Sequence, residues 1–461
     1  MSDLFDLTIH GGLVVTTRQV FPATLAVRGG RVAAILAPDE RPAAAETIDA
    51  AGLHILPGVI DTHVHLRDPG GPQREDFTSG TRAAAAGGIT TIMEMPISEP
   101  PVHTGDILTR RAETVQPRAL VDFALYGAVG AENISQVGGM VEAGAVAFKT
   151  FLTQPIPSRA REFIGLCCTD EAILYEAMQA TAKTGLRHCF HCEHYPIVDH
   201  LTALLRDAGR GDGLAHAESR PEVVEDVSVA IVLALAAEIG GAVQVVHMSS
   251  PRAAQMVKRA KADGVNVTAE TCPQYLFLTW EALKARGPFA KCNPALRSPE
   301  TVQAFWPYLF DGTIDVIGSD HAPYVAEEKT RGLEDVFKAT AGMPGLEPML
   351  PLMLTAVNQG RISLPRVAYL MAERAADLFR LPGKGRIAVG HDADLTLVDL
   401  AAEWTFDRRR SFSKAGDNMR AYHGRQMKGR VISTLVRGRR VYQEGDIIAQ
   451  PGYGRFVRPD S

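Results

Sequence analysis

Short apolar runs recur along the chain, each followed by an Ala-, Leu- and charge-rich stretch that reads as a helix. The runs are ILPGVIDTHVH (55–65), GITTIMEMP (88–96), LVDFALYGA (120–128), GAVAFKTF (144–151), RHCFHCEH (187–194), AVQVVHMSS (242–250), VNVTAETCPQYL (265–276) and IDVIGSDHAP (314–323). Thr78 to Ala86 and Val223 to Glu238 are examples of the intervening helices. Eight strand-then-helix units predict an α/β fold, a (β/α)8 TIM barrel.

The flanks have another texture. Residues 3–52 hold alternating strands and tight turns, as in LAVRGGRVAAI, and a similar hairpin signal returns in TLVRGRRVY (434–442). GRIAVGHDADLTLVDL (385–400) is also strand-like. These features predict that residues 1–54 and 380–461 pair into one small β-sandwich, with the barrel spanning 55–379. GKGRIAVG (383–390) lacks the spacing of a phosphate loop, so it carries no nucleotide role.

Composition narrows the partners. With 46% hydrophobic and 22% charged residues the chain reads as an ordinary globular protein, and 48 basic against 53 acidic side chains give no footprint for nucleic acid or membrane. The start, MSDLFDLTIHGG, has no signal-peptide pattern, and the longest apolar run is too short to span a bilayer, so the expected compartment is the cytoplasm. Six cysteines form no disulfide framework; Cys189 and Cys192 make a C-x-x-C that, without a second such pair, reads as buried packing.

The first run switches from apolar to polar at Asp61, His63, His65 and Arg67. Alternate strand positions share a face, so all four point the same way. Other strand ends carry equally unusual groups: Lys149 on the fourth, His191 on the fifth, His247 on the sixth and Asp320 on the eighth. Active sites of such barrels lie at the C-terminal ends of the strands. Each residue alone has a plain structural reading, as a snorkelling lysine, a bonded strand histidine or a helix cap. Together, four histidines and an acid at one mouth call for a cation to gather them. His63, His65 and Asp320 can hold one ion and His191 and His247 another. Zinc suits that set, with manganese, cobalt or iron as alternatives. Two ions about 3.5–4 Å apart need an anionic bridge, which Lys149 as it stands does not provide.

GVIDTHVHLRDPG, GGITTIMEMP, GAVAFKTF, HCEH, VVHMSS, ETCPQYL, KCNPALR, GSDHAP, GMPGLEPMLPLML and GHDADLTLVDL, from about 50 to 400, resemble the cyclic amidohydrolases: hydantoinases, dihydropyrimidinases, allantoinases and dihydroorotases. The resemblance implies that carbon dioxide carboxylates Lys149 to a bridging carbamate, that Asp61 supports the ligands, and that Arg67 faces substrate. It implies hydrolysis of a small cyclic ureide or imide by a hydroxide held between two metals, with Asp320 shuttling the proton. It also implies a homo-oligomer, a dimer or tetramer.

Within that family the arginine after the histidine pair, here Arg67, and the asparagine of KCNPALR, here Asn293, match dihydroorotases. Their asparagine after the second strand is replaced by Glu99 in MPISEPP, and the tyrosine of D-hydantoinases by Gln154. EMPISEPP, VDFALYG, AGAVAFK and GYGRFV are close to L-selective hydantoinases. The expected substrate is therefore a neutral hydantoin- or allantoin-like ureide, with Glu99 pairing with Arg67 at the pocket mouth; dihydroorotate is the alternative. A non-catalytic scaffold of the dihydropyrimidinase-like type is the remaining reading, disfavoured because every ligand position is filled.

Overall fold

The computed structural model describes residues 4–460. Eight parallel strand segments close a barrel: Val59–Val64, Ile89–Glu94, Asp122–Leu125 continued by Gly127–Ala128, Phe148–Phe151, His188–His191, Val243–Val245, Val267–Thr271 and Val316–Ile317. A parallel bridge from Val64 to His321 joins the last strand to the first. All eight expected runs supply a barrel strand. The run at 265–276 is only half strand, because beyond Cys272 the segment Pro273–Phe277 turns helical and buries Tyr275 and Leu276.

The barrel strands are covered on both faces and almost wholly buried, polar residues included, and the helices show why they lie where they do. Phe77–Ala86 starts at Asp76, whose carboxylate accepts the Ser79 N–H at 2.7 Å, and it buries Phe77 and Ala83 to Ala85 against the barrel. Glu222–Ile239 ends at Gly240, whose φ of 76° closes the helix in a left-handed cap.

A sandwich of two sheets packs beside the barrel, one of order Arg31–Leu36, Thr24–Arg28, Phe5–His10, Ala44–Asp49. The other sheet joins both chain ends: His54–Pro57 pairs with Leu395–Thr405, which pairs with Gln426–Val436. The boundary expected at 54/55 therefore falls inside a sandwich strand, and the passage to the barrel comes at Gly58. Both expected hairpins form. Their tight turns place Gly29 and Gly30 in one, and Arg437 and Gly438 in the other, at positive φ.

A buried ion cluster pins the barrel to the sandwich. Lys384 Nζ lies 2.5, 2.9 and 2.7 Å from the carboxylates of Asp122, Asp392 and Asp394, and Arg437 also pairs with Asp122. The lysine of GKGRIAVG thus serves the domain seam. No helix among the described residues is long and apolar enough to cross a membrane. All six cysteines are free, and all but Cys167 are buried.

Candidate metal centre and its cavity

The barrel brings the six expected ligands to one mouth. His63 lies one residue before the end of the first strand and His65 just beyond it; Asp61, on the same face, accepts backbone N–H groups of His63 at 3.1 Å and Ser319 at 2.9 Å, tying strand one to strand eight. Asp320 Oδ1 sits 3.3 Å from His63 Nε2 and 3.4 Å from His65 Nε2. Across the mouth, His191 Nδ1 faces His247 Nε2 at 2.8 Å. The ring centroids of His63 and His247 are 5.2 Å apart, so the two groups adjoin. Arg67, His247 and Asp320 adopt φ of 61°, 42° and 47°. Left-handed backbone costs a non-glycine residue roughly 1–3 kcal/mol, and such strain concentrates at functional sites.

Lys149 lies on strand four, wholly buried, and its Nζ has no hydrogen-bond partner. Burial lowers its pKa to about 8, so a neutral amine is within reach at physiological pH. Burial likewise holds His65, His191 and His247 below the usual histidine value, His65 and His247 well below. Neutral imidazoles keep a lone pair for a metal. Burial pushes Asp320 up, as it does any carboxyl deprived of water and of a full counter-charge.

Two carboxylates that the sequence reading left unused orient these rings. Glu270, from ETCPQYL, accepts from His63 Nδ1 at 2.7 Å and from the Thr62 hydroxyl at 2.6 Å. Glu193, from HCEH, lies 2.9 Å from His191 Nε2. An acid on a buried strand end, two residues from a ligand in the case of Glu193, was the available signal.

The mouth opens into a cavity of about 810 Å³, lined by His63, His65, His191, His247 and Asp320 and by Arg67, Gln154, Asn293 and Tyr324, with Phe151, Phe163, Ile97 and Ile156 on its apolar side. Asn293 presents a buried Oδ1 without a partner. Gln154 is exposed and bonds Thr169, so no tyrosine stands at that position to meet a substrate oxyanion.

Glu99 departs from expectation. It is half-exposed, its carboxylate pairs with Arg161 at 3.4 Å, and it does not line the cavity. The acid near Arg67 is instead Glu162, 3.8 Å away and also bonded to Arg74 and Arg159. The reason is the path of the segment after strand four, which carries Arg161 outward over Glu99 and Glu162 inward. Arg67 Nη2 donates to the Tyr324 hydroxyl at 3.1 Å, while its Nε and Nη1 make no hydrogen bond, Nη1 being only in longer ion-pair range of Glu162.

Residues 54–441 match the Amidohydrolase family. The chain is 37% identical to an allantoinase of Deinococcus radiodurans over 99% of both proteins. This chain belongs to the amidohydrolase family. The amidohydrolase is also 36% identical to an L-hydantoinase of Paenarthrobacter aurescens over 98% of both. Its fold superposes on the L-hydantoinase (dihydropyrimidinase) of Arthrobacter aurescens with a TM-score of 0.94, at 35% identity, covering 99% of this chain and 100% of the other. It is an enzyme, a hydrolase of the cyclic-amide class. The amidohydrolase family is metal-dependent, and the donor set here fits divalent ions: His63, His65 and Asp320 offer ligand atoms within 4.8 Å of one another. The facing His191 and His247 nitrogens and the unpartnered Lys149 amine complete that fit.

Proposed function

We propose that this amidohydrolase opens the ring of a hydantoin- or allantoin-like ureide with two divalent ions, zinc by donor type. The observation that carries the reading is Lys149 Nζ, buried and unpartnered among four histidines and an aspartate at the head of a cavity. An isolated ammonium there is costly. A neutral amine that adds carbon dioxide and loses a proton becomes an anionic carbamate, which resolves the cost.

His63, His65 and Asp320 would hold one ion, His191 and His247 the other, and carboxylated Lys149 would join them. When bound, such ions supply an acidified water and a Lewis acid for the ring carbonyl. Asp320 accepts the proton of the attacking water and delivers it to the departing ring nitrogen, giving a carbamoyl amino acid or related ureido acid. Buried Glu270 and Glu193 keep the histidine rings aligned through that transfer. The cavity's apolar side, Phe151, Phe163, Ile97 and Ile156, suits a ring substituent, and Asn293 Oδ1 suits a ring N–H. An allantoinase and an L-hydantoinase among the relatives support this choice of ring.

One observation favours dihydroorotate as a second reading. Arg67, Arg74 and Arg159 face Glu162 and Glu328, three positive charges against two negative, and the buried guanidinium nitrogens without a hydrogen bond belong to Arg67. A carboxylate on the ring would meet them. A panel of hydantoin, 5-substituted hydantoins, dihydrouracil, allantoin and dihydroorotate, assayed with zinc-loaded protein in bicarbonate, decides between the readings. No turnover of any of the five overturns both. Dimer or tetramer assembly belongs to the same proposal and is read by light scattering.

A further inference from the structure

We infer that Glu193, backed by Arg220, is a positioning pair that selects which nitrogen of His191 meets the metal, and so sets the affinity of the His191/His247 half-site separately from the His63 half-site. This rests on the two-ion reading above and deepens it.

A neutral imidazole has one N–H and one lone pair, and the partner of one nitrogen fixes the role of the other. His191 Nε2 lies 2.9 Å from Glu193 Oε2. An ionised carboxylate only accepts, so Nε2 carries the hydrogen and Nδ1 the lone pair. That Nδ1 is the atom 2.8 Å from His247 Nε2. Stacking of the His191 ring on Phe151, with centroids 4.9 Å apart, limits its tilt but does not distinguish its two nitrogens.

Glu193 is itself buried and needs a counter-charge. Arg220 Nε supplies it at 3.3 Å from Oε1. Arg220 is held in turn by its bond to the Ser219 hydroxyl at 3.0 Å.

The other half-site has its own device. Glu270 Oε1 takes His63 Nδ1 at 2.7 Å, leaving His63 Nε2 toward Asp320. His247 has no comparable partner, since its Nδ1 is buried and unpaired. The His247 backbone N–H donates to Glu270 Oε1 at 3.3 Å, which places its strand end but not its ring, so Glu193 is the one carboxylate among the described residues that bonds a ring nitrogen of this half.

The test is zinc affinity of the full-length protein in bicarbonate, read by competition with a chromophoric chelator, with the visible spectrum of the cobalt form as a second readout. The parent binds two ions. Glu193→Leu should weaken one of them by the 10–100-fold typical of lost partners of ligand histidines, leave the other within a few-fold, and alter the cobalt spectrum. Glu193→Gln keeps an acceptor oxygen and should recover most of the loss. Arg220→Met should weaken the same single site, which keeps the test open should Glu193→Leu fail to fold. Both ions retained at parent affinity in Glu193→Leu, or both lost together in the folded variants, overturns the inference. A parent that binds fewer than two ions overturns the two-ion reading instead.

Discussion

Lys384 sits where barrel meets sandwich, and its replacement by methionine keeps the aliphatic stem while removing the one ammonium that three carboxylates share. The side chain is 2% exposed, and Asp122 and Asp394 beside it are as deeply buried. Arg437 still reaches Asp122, and its backbone N–H still donates to Asp394 at 2.7 Å, so some compensation survives. Removing one partner of a buried ion pair costs about 3–5 kcal/mol, and Lys384→Met should fall in that range at pH 7.5. Burial already pushes the Asp394 carboxyl up despite Lys384, whereas Lys384 and Arg437 bring Asp122 down against the same burial. Without the lysine both should rise above their unfolded values. The folded variant then binds protons that its unfolded chain does not, so its deficit against the parent should shrink on acidification toward pH 5, by about 1.4 kcal/mol per pH unit for each proton taken up. Urea unfolding of the zinc-loaded pair, followed by circular dichroism across pH 5–8, measures it. A deficit below about 1 kcal/mol, or one that does not change with pH, would refute the reasoning.

Three further outcomes follow from the site. Lys149→Ala should lose ring opening and most of one metal, with partial return of both on adding a short carboxylic acid; normal metal content and rate would reduce Lys149 to a packing residue. Asp320→Asn retains an oxygen but no proton acceptor, so kcat should drop by about 10²–10⁴ in a folded protein, and a rate within a few-fold of the parent in steady-state assays would move the shuttle elsewhere. Arg67→Met should raise KM for dihydroorotate at least 10-fold if the guanidinium takes a carboxylate, at roughly 1.5–3 kcal/mol per charged hydrogen bond, while leaving allantoin nearly unchanged; equal effects on both substrates would deny it that role.

The eight strands and the meeting of six polar residues at one mouth were legible because each is a local exception: a polar group at the end of an apolar run. His63 and His65 announce themselves by alternation, Lys149 and Asp320 by standing where an apolar residue or a cap is ordinary. Partner choice was not legible in the same way. Glu99 stands one strand away from Arg67 in the barrel order, yet the path of the segment 152–164 gives Arg67 to Glu162 and Glu99 to Arg161. Glu270 looked like any strand residue until the closed barrel brought it to 2.7 Å from the histidine it orients, 207 residues away along the chain. The seam lysine in GKGRIAVG had no local sign of its role, since its three acids come from one distant strand and one nearby loop.

Metal titration against ring opening tests the central claim most directly. Protein stripped of metal and held in bicarbonate should be inactive toward every ureide of the panel, and its rate on the best of them should climb with added zinc to a plateau at two ions per chain. Full turnover by the metal-free protein, or a plateau at a single ion, would contradict the account.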